Sequence, residues 1–534
     1  MNQLSLFAQS KKLMSLQEAS KWASQYLDRK VTVSNLSYLL QYGRIKKHGD
    51  NGNPLIDIDE LKNYYDSFAQ KEKEWRKVLG SDLNWHLSFV EYKESERTKH
   101  VHRLHPYKGK FIPQLVEYFL DGHTDEFKKE VFFKEGDIVL DPFCGSGTTL
   151  VQANELGLHA IGIDISAFNV MISNVKIEKH NLIELHKAIQ KLTFELEQFQ
   201  RKRNNTVFEE HLLNELSVFN KKYFPSPDYK RKVRQGLINE REYSKKKEKE
   251  FLSTYWNLVK KYNIQIKQNK DETFLDKWFL APVREEIDFL FENIKEIENA
   301  KIKKVLAIIL SRTVRSCRAT THADLATLKE PVITTYYCKK HGKICKPIFS
   351  IMGWWRRYSM DTLNRLLEFN KLRTDTMQIC LVGDSRTIDI IEEVKKKNYR
   401  LAETITKQKI AGIFSSPPYV GLINYHEQHA YAYEIFGFER RDELEIGPLF
   451  KGQGKEARES YIKGIAAVLI NCKRLLKEDY NVFLVANDKY NLYPKIAELA
   501  SMRIVNQYKR PVLNRVEKDR SAYAEIIFHL KENI

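Results

Sequence analysis

The sequence has no uninterrupted apolar run near the roughly 18 residues that a transmembrane helix needs. Its opening, MNQLSLFAQSKKLM, lacks the charged–apolar–small order of a secretory signal, so a soluble, cytoplasmic protein is expected, with no membrane partner. Cysteine is scarce. Cys144, Cys317, Cys338, Cys345, Cys380 and Cys472 are scattered through 534 residues, which is no disulfide framework and leaves reduced thiols as the default. Acidic side chains are the minority, with 70 Asp+Glu against 88 Lys+Arg, and the net charge is +18. That excess disfavours cationic substrates and favours a polyanionic partner, which in an intracellular chain means nucleic acid. Hydrophobic residues at 42% and charged residues at 30% exclude a collagen-like or wholly disordered chain. The length suggests about three to four structural units.

Residues 1–66 read as a small module. Ser15 and Glu18 form a capping box ahead of a helical pattern. A second helix runs from Ser34 towards Gly43, a glycine suited to a C-cap. Two short runs flank the turn-rich Asp50-Asn51-Gly52-Asn53, a hairpin signal, and Asp59 is placed to cap a last helix. Two helices, a hairpin and a helix resemble a winged helix-turn-helix, and DNA contact is favoured over a packing role. Residues 67–104 read as a linker. The following lead-in ends in HPYKGKFIP and a helix opened by Pro113, where the missing donor costs nothing.

From Asp137 the pattern becomes strand, glycine turn, helix, strand: DIVLDPF, CGSGTT, TLVQANELG, HAIGID. That is the beginning of a βαβ unit. A long helical stretch, 182–376, follows. Strand-like runs return with MQICLVGD, IAGIFSSPPY, NVFLVAND and YAEIIFHLK. The chain therefore reads as an α/β domain, formed by 105–181 and 377–534, interrupted by a large helical insertion.

The glycine turn follows a strand and opens a helix, yet it has neither the G-x-G-x-x-G of a dinucleotide fold nor the G-K-[ST] of a P-loop. The crevice is kept without phosphate-cradling chemistry, which fits a nucleoside cofactor. Asp164, at the next strand end, is placed to accept from both ribose hydroxyls. Asp141, just before the turn, is placed to meet a cationic amino group. DPFCGSGTT followed by IGIDIS resembles the S-adenosylmethionine motif of amino-directed DNA methyltransferases. The resemblance implies a Rossmann-like methyltransferase sheet, with Phe143, Gly145, Gly147 and Thr148 lining the cofactor and Asp164 holding the ribose. It sets HPYKGKFIP beside the methionine end, with His105, Tyr107 and Lys108 as candidates. Asp384 falls where that family carries an acid for the adenine amine.

Ser416-Pro417-Pro418-Tyr419 ends an apolar strand, where α/β folds bind ligands. An exocyclic base amine is a poor nucleophile because its lone pair is delocalised into the ring. Two acceptors on its hydrogens, the Ser416 hydroxyl and the Pro417 carbonyl, would draw it towards tetrahedral geometry. The prolines fix φ and hold that carbonyl rigid. Tyr419 offers a ring on which a flipped base can stack. The family tetrapeptide is [DNS]-P-P-[YFW], and serine in first position usually accompanies cytosine N4 methylation. Many such cytosine enzymes run in a permuted motif order, whereas here the cofactor motif comes first. Methylation at cytosine carbon 5 needs a nucleophilic cysteine, typically after proline, and no cysteine here follows one.

The insertion carries basic residues interleaved with Tyr223, Phe224, Tyr229, Trp354 and Trp355, the make-up of a target-recognition region. Arg315, Arg318 and His322 reach DNA or brace the pocket. Cys338, His341 and Cys345, with Cys317 or His322 as a fourth, suggest zinc, but there is no C-x2–4-C pair, and packing thiols without metal are expected. The chain therefore reads as a site-specific methyltransferase of double-stranded DNA. It uses S-adenosylmethionine, favours cytosine N4 over adenine N6, is nucleoid-associated and is paired with a cognate restriction endonuclease. The rival from another class is a DNA-binding regulator with an inactive methyltransferase core.

Overall fold

A computed structural model describes residues 12–533, apart from 28–30, 42–44, 50–52, 70, 91, 93, 108, 126, 323–327, 329, 425 and 514–520. The strands, in chain order, are β1 (Leu13–Ser15), β2 (Leu55–Asp57), β3 (Ile138–Asp141), β4 (His159–Asp164), β5 (Tyr336–Cys338), β6 (Lys343–Cys345), β7 (Gln378–Val382), β8 (Ile410–Ser415), β9 (Leu476–Ala486), β10 (Met502–Pro511) and β11 (Ala524–Glu532). Seven of them form the central sheet in the order β10-β11-β9-β8-β3-β4-β7. From β7 to β9 every neighbouring pair is parallel, and β11 is inserted antiparallel between β9 and β10. Strands β3 and β8 are buried at every position, the mark of parallel strands covered on both faces. The chain leaves β3 towards β4 on one side, while β8 lies on the other. The carboxyl ends of β3 and β8 therefore flank the point where strand order reverses, and the crevice opens there.

The N-terminal module forms its own small core around Ala19, Ala23, Leu36, Ile56 and Leu61. The Ser15–Glu18 capping box is present at the head of the helix Leu16–Tyr26. The second helix covers Val33–Gln41; Gly43 and the Asp50–Gly52 turn lie outside the described residues. β2 pairs with β1 antiparallel, and His48 bridges Leu55. The last helix, Ile58–Ala69, is capped by Asp57, whose carboxylate accepts from Asp59 N at 3.0 Å, so the cap stands two residues before the one expected.

Two boundaries read from sequence do not coincide with breaks in packing. The 67–104 stretch, expected as a linker, lies against the outer sheet edge from Leu83 onwards. Leu83 bridges Lys509 of β10, Asn84 N donates to Lys509 O at 2.7 Å, and Arg510 Nε donates to Leu87 O at 3.2 Å. Leu87, Phe89, Val101 and Leu104 are buried in the main core. The helical insertion shares that core. Leu185, Tyr255, Val305 and Trp355 belong to one apolar cluster with Val139 and Phe414 of the sheet. Among the described residues no helix is long and apolar enough to cross a membrane.

Candidate active site

A cleft of about 880 Å3, counting its open mouth, sits at the carboxyl ends of β3, β4, β7 and β8. Its wall takes in Tyr107, Phe143, Gly145, Thr148, Asp164, Asp384, Ser416 and Pro418, so residues more than 300 positions apart in sequence meet in one place.

The glycine turn is held tightly. Gly145 has φ +50, and a Cβ there would come within 3.0 Å of the Tyr107 ring, so only glycine lets Tyr107 cover the turn. Gly147 has φ +75, but a Cβ there would meet Ser173 at 2.9 Å. Gly147 therefore serves helix packing and is not on the cleft wall. The turn carbonyl of Ser146 accepts from Lys176 Nζ, a fully buried ammonium whose pKa burial pulls well down. Cys144 also faces the cleft, and burial pushes its thiol well above the usual range.

Asp164 organises the β4 end. One carboxylate oxygen accepts from Gly145 N at 2.9 Å; the other accepts from Ser166 N at 2.8 Å and Asn169 Nδ2 at 3.1 Å. Burial raises its pKa to about 7 despite those donors. Asp141 behaves differently from expectation. It is fully buried behind the turn, accepts from Ser415 Oγ at 2.5 Å and Phe143 N at 3.2 Å, and does not line the cleft. It cannot meet a ligand amino group there; it ties the end of β3 to the end of β8. Burial raises it to about 6.

Asp384 lines the cleft as expected, and both its oxygens accept from Arg386, at 2.9 Å from Nε and 2.6 Å from a terminal nitrogen. His105 is absent from the wall. It is buried, with Nε2 3.0 Å from Ser311 Oγ of the insertion, and braces two parts of the chain. Tyr107 is on the wall, its ring stacked 5.9 Å from that of His429. Lys108 lies outside the described residues. Lys110 lines the cleft instead and donates to His102 O at 2.7 Å; burial lowers it to about 8.

The tetrapeptide follows β8. Ser416 Oγ donates to Val485 O of β9 at 3.1 Å. Its one proton is thus committed to the sheet, and its lone pairs remain as acceptors. Among the described residues none donates to the Pro417 carbonyl. Tyr419 OH donates to Glu525 of β11 at 2.7 Å, and Glu525 is paired with Arg510 at 3.1 Å; the half-buried ring packs against the apolar core and, like Pro417, does not line the cleft, whereas Ser416 and Pro418 do.

Sequence reasoning missed a buried polar chain above the cleft. Ser166 Oγ is 2.5 Å from Tyr433 OH, Tyr433 OH is 2.5 Å from His426 Nδ1, and His426 N donates to Glu445 at 2.9 Å. It fastens the loop after the tetrapeptide to the cofactor half. The five insertion aromatics are taken up, wholly or in part, by the protein's own core. Phe224, Tyr229 and Trp355 are buried in the core, and Tyr223 and Trp354 pack against it. Arg318 is also buried and donates to Arg315 O at 2.9 Å, which is bracing.

The sheet order and the crevice define a Rossmann-like methyltransferase. Residues 37–174 match a family described as DNA methylase. The chain is 48% identical to the type II methyltransferase M.MjaII of Methanocaldococcus jannaschii over 98% of this chain and 97% of that one. It is 26% identical to the type II methyltransferase M.BsoBI of Geobacillus stearothermophilus over 42% of this chain and 47% of the relative. Likeness to M.MvaI of Kocuria varians is 34% over 22% and 24% of the two chains. The chain therefore belongs to the amino-directed DNA methyltransferases of restriction–modification type. That family implies methyl transfer to DNA from S-adenosylmethionine.

Proposed function

We propose that this chain methylates the exocyclic N4 amine of a cytosine flipped out of duplex DNA at a specific short sequence. The observation that supports transfer to an exocyclic amine is the Ser416–Val485 hydrogen bond, 3.1 Å long, which spends the serine proton on the sheet and leaves an acceptor at the cleft mouth; the choice of cytosine rests on serine leading the tetrapeptide. The Ser416 hydroxyl oxygen and the Pro417 carbonyl grip the amine hydrogens, draw the nitrogen towards tetrahedral geometry and free its lone pair. Tyr419, clamped by Glu525, offers its face to the flipped base.

The cleft fits a nucleoside cofactor without phosphate. Asp164 presents a half-buried carboxylate to ribose hydroxyls, Phe143 and Ile165 give apolar walls, and Tyr107 closes the turn. Gly145 keeps the turn backbone close to the ligand, and Thr148 opens the helix behind it. S-adenosylmethionine, when bound, supplies an electrophilic methyl group on a sulfonium. Gly147 supports this wall from behind, and Asp141 keeps the ends of β3 and β8 in register. Asp384, on the cleft wall and oriented by Arg386, keeps carboxylate lone pairs for the adenine amine.

Adenine N6 is the second reading. It is favoured by the motif order, with the cofactor turn before the tetrapeptide. Recognition is assigned to residues 182–376 and the module 1–66, and a cognate endonuclease is the expected functional partner. Ser416→Ala tests the catalytic assignment. Single-turnover transfer to unmethylated DNA should fall by about 10- to 150-fold, the cost of about 1.5–3 kcal/mol for a lost transition-state hydrogen bond, with cofactor affinity unchanged. Unchanged transfer removes Ser416 from the mechanism.

A further inference from the structure

The hairpin β5–β6 is too short to stand alone: it has two strands of three residues each, and the face that carries the cysteines has a small apolar cluster of Tyr336, Cys338, Cys345 and Val332. Two-stranded ribbons of this size are marginal in water. One face is seated on the main core, with Ile344 buried in it and Tyr337 packed against it, and polar contacts add to that anchor. Asn220 exchanges two hydrogen bonds of 2.9 Å with the backbone of Ile344, and Tyr337 OH donates to Glu240 at 2.8 Å. The inner face of the hairpin gathers four metal-ligating side chains. Ligand atoms of His322, Cys338, His341 and Cys345 all lie within 4.8 Å of one another. Cys338 and Cys345 are buried, and His322 stands at the solvent edge.

We propose that these four residues form a structural zinc site. Tetrahedral zinc with bonds of about 2.3 Å to sulfur and 2.0 Å to nitrogen needs ligand atoms about 3.3–3.8 Å apart. Cys345 Sγ and His341 Nδ1 are already 3.5 Å apart. The remaining separations are at most 4.8 Å, so they close by about 1.5 Å or less through side-chain adjustment. Two sulfurs and two imidazoles select zinc over magnesium or calcium, which demand oxygen ligands. The outer contact is also present. The Tyr336 hydroxyl lies 2.7 Å from His322 Nδ1, which orients the ring and leaves Nε2 for the ion. Cys317, the other candidate fourth ligand, is buried in the main core and takes no part.

On binding, the two thiols release their protons to solvent and the ion joins the hairpin to the chain that follows Arg318. Three ligands lie within eight residues, but His322 comes from the far end of that loop. The site therefore adds a second tie to a segment that Tyr336 of the hairpin already contacts through His322.

The test is metal analysis of the full-length chain from zinc-supplemented culture. We expect about one zinc per chain, which is the stoichiometry of a closed four-ligand site. Cys338→Ser and Cys345→Ser should each lose it, and Cys317→Ser should retain it. Tyr336→Phe should weaken zinc retention against a chelator about 10- to 100-fold, as outer-shell changes do. Should the cysteine variants fail to fold, the wild-type chain stripped by chelator is titrated with cobalt(II). The intense visible bands of tetrahedral thiolate coordination should appear at a one-to-one ratio and vanish when zinc is added. Metal-free protein without cobalt bands, zinc retained in both cysteine variants, or a Cys338–Cys345 disulfide in freshly purified protein would each overturn the proposal.

Discussion

Replacing Asp164 by asparagine keeps the shape of the side chain and inverts half of its hydrogen bonding. One oxygen of Asp164 takes Gly145 N at 2.9 Å, and the other takes Ser166 N at 2.8 Å and Asn169 Nδ2 at 3.1 Å. An asparagine has one oxygen. Whichever way its amide turns, its NH2 faces a donor, either the glycine turn or the head of the following helix. The lost bond was to a charged acceptor, which costs about 1.5–3 kcal/mol. If that cost falls on the ligand-ready arrangement of the turn, the cofactor Kd rises about 10- to 150-fold. Titration calorimetry with S-adenosylmethionine or its demethylated product reads this directly. The pH dependence sharpens the test. Burial raises Asp164 to about 7, so its carboxylate is ionised above that pH and protonated below it. Wild-type affinity should fall as the pH drops below about 7, while the asparagine variant, with nothing to titrate there, stays level. The two curves should therefore converge in acid and separate in base. A variant that binds as tightly as wild type at pH 8, or a gap that persists unchanged at pH 5.5, would refute the ribose-acceptor role.

Trp355→Ala should destabilise the fold by about 3–5 kcal/mol, the cost of emptying a fully buried aromatic position, because the ring is buried and its Nε1 donates to Thr193 at 2.9 Å. Denaturant unfolding measures it, and a loss of DNA affinity at full stability would return this tryptophan to the DNA surface. Deleting residues 1–66 should weaken DNA binding and flatten its dependence on salt, by about 0.9 in the log–log slope for each phosphate contact removed. An unaltered slope would make the module a non-DNA element. Gly145→Ala should cost about 1–2 kcal/mol for the left-handed backbone and displace Tyr107, whose ring would lie 3.0 Å from the new methyl group. Cofactor affinity should drop with it, and unchanged binding would show that Tyr107 is free to move.

The parts of the site that were legible in the sequence are those that local physics determines. DIVLD and IAGIFS read as buried parallel strands because both faces are covered and the apolar run is continuous. Turns follow each run immediately, so Gly145, Asp164 and Ser416 could be placed at strand ends by counting. What was not legible depends on pairing across distance. The Ser166–Tyr433 bond joins residues 267 positions apart, and neither side chain carries a spacing signal. Asp141 and Asp164 look equivalent in sequence, yet one turns behind the glycine turn and the other faces it. The insertion aromatics sit on helices whose apolar face is readable, but periodicity does not say whether protein or DNA covers that face. Residues 83–104 have no regular period, and only their contacts with Lys509 and Arg510 of β10 show that they belong to the sheet edge. The fourth partner of Cys338, His341 and Cys345 was ambiguous because His322 precedes them across an irregular loop.

The central claim is transfer to an exocyclic amine by a serine-led tetrapeptide, and the product tests it most directly. Purified chain, S-adenosylmethionine and unmethylated bacterial DNA are incubated, the DNA is digested to nucleosides, and the methylated nucleoside is identified by mass spectrometry. The account predicts N4-methylcytosine, abolished or sharply reduced in Ser416→Ala. N6-methyladenine would keep the fold and the cofactor cleft but contradict the reading of Ser416 as the mark of a cytosine enzyme. 5-Methylcytosine would contradict the amine mechanism itself.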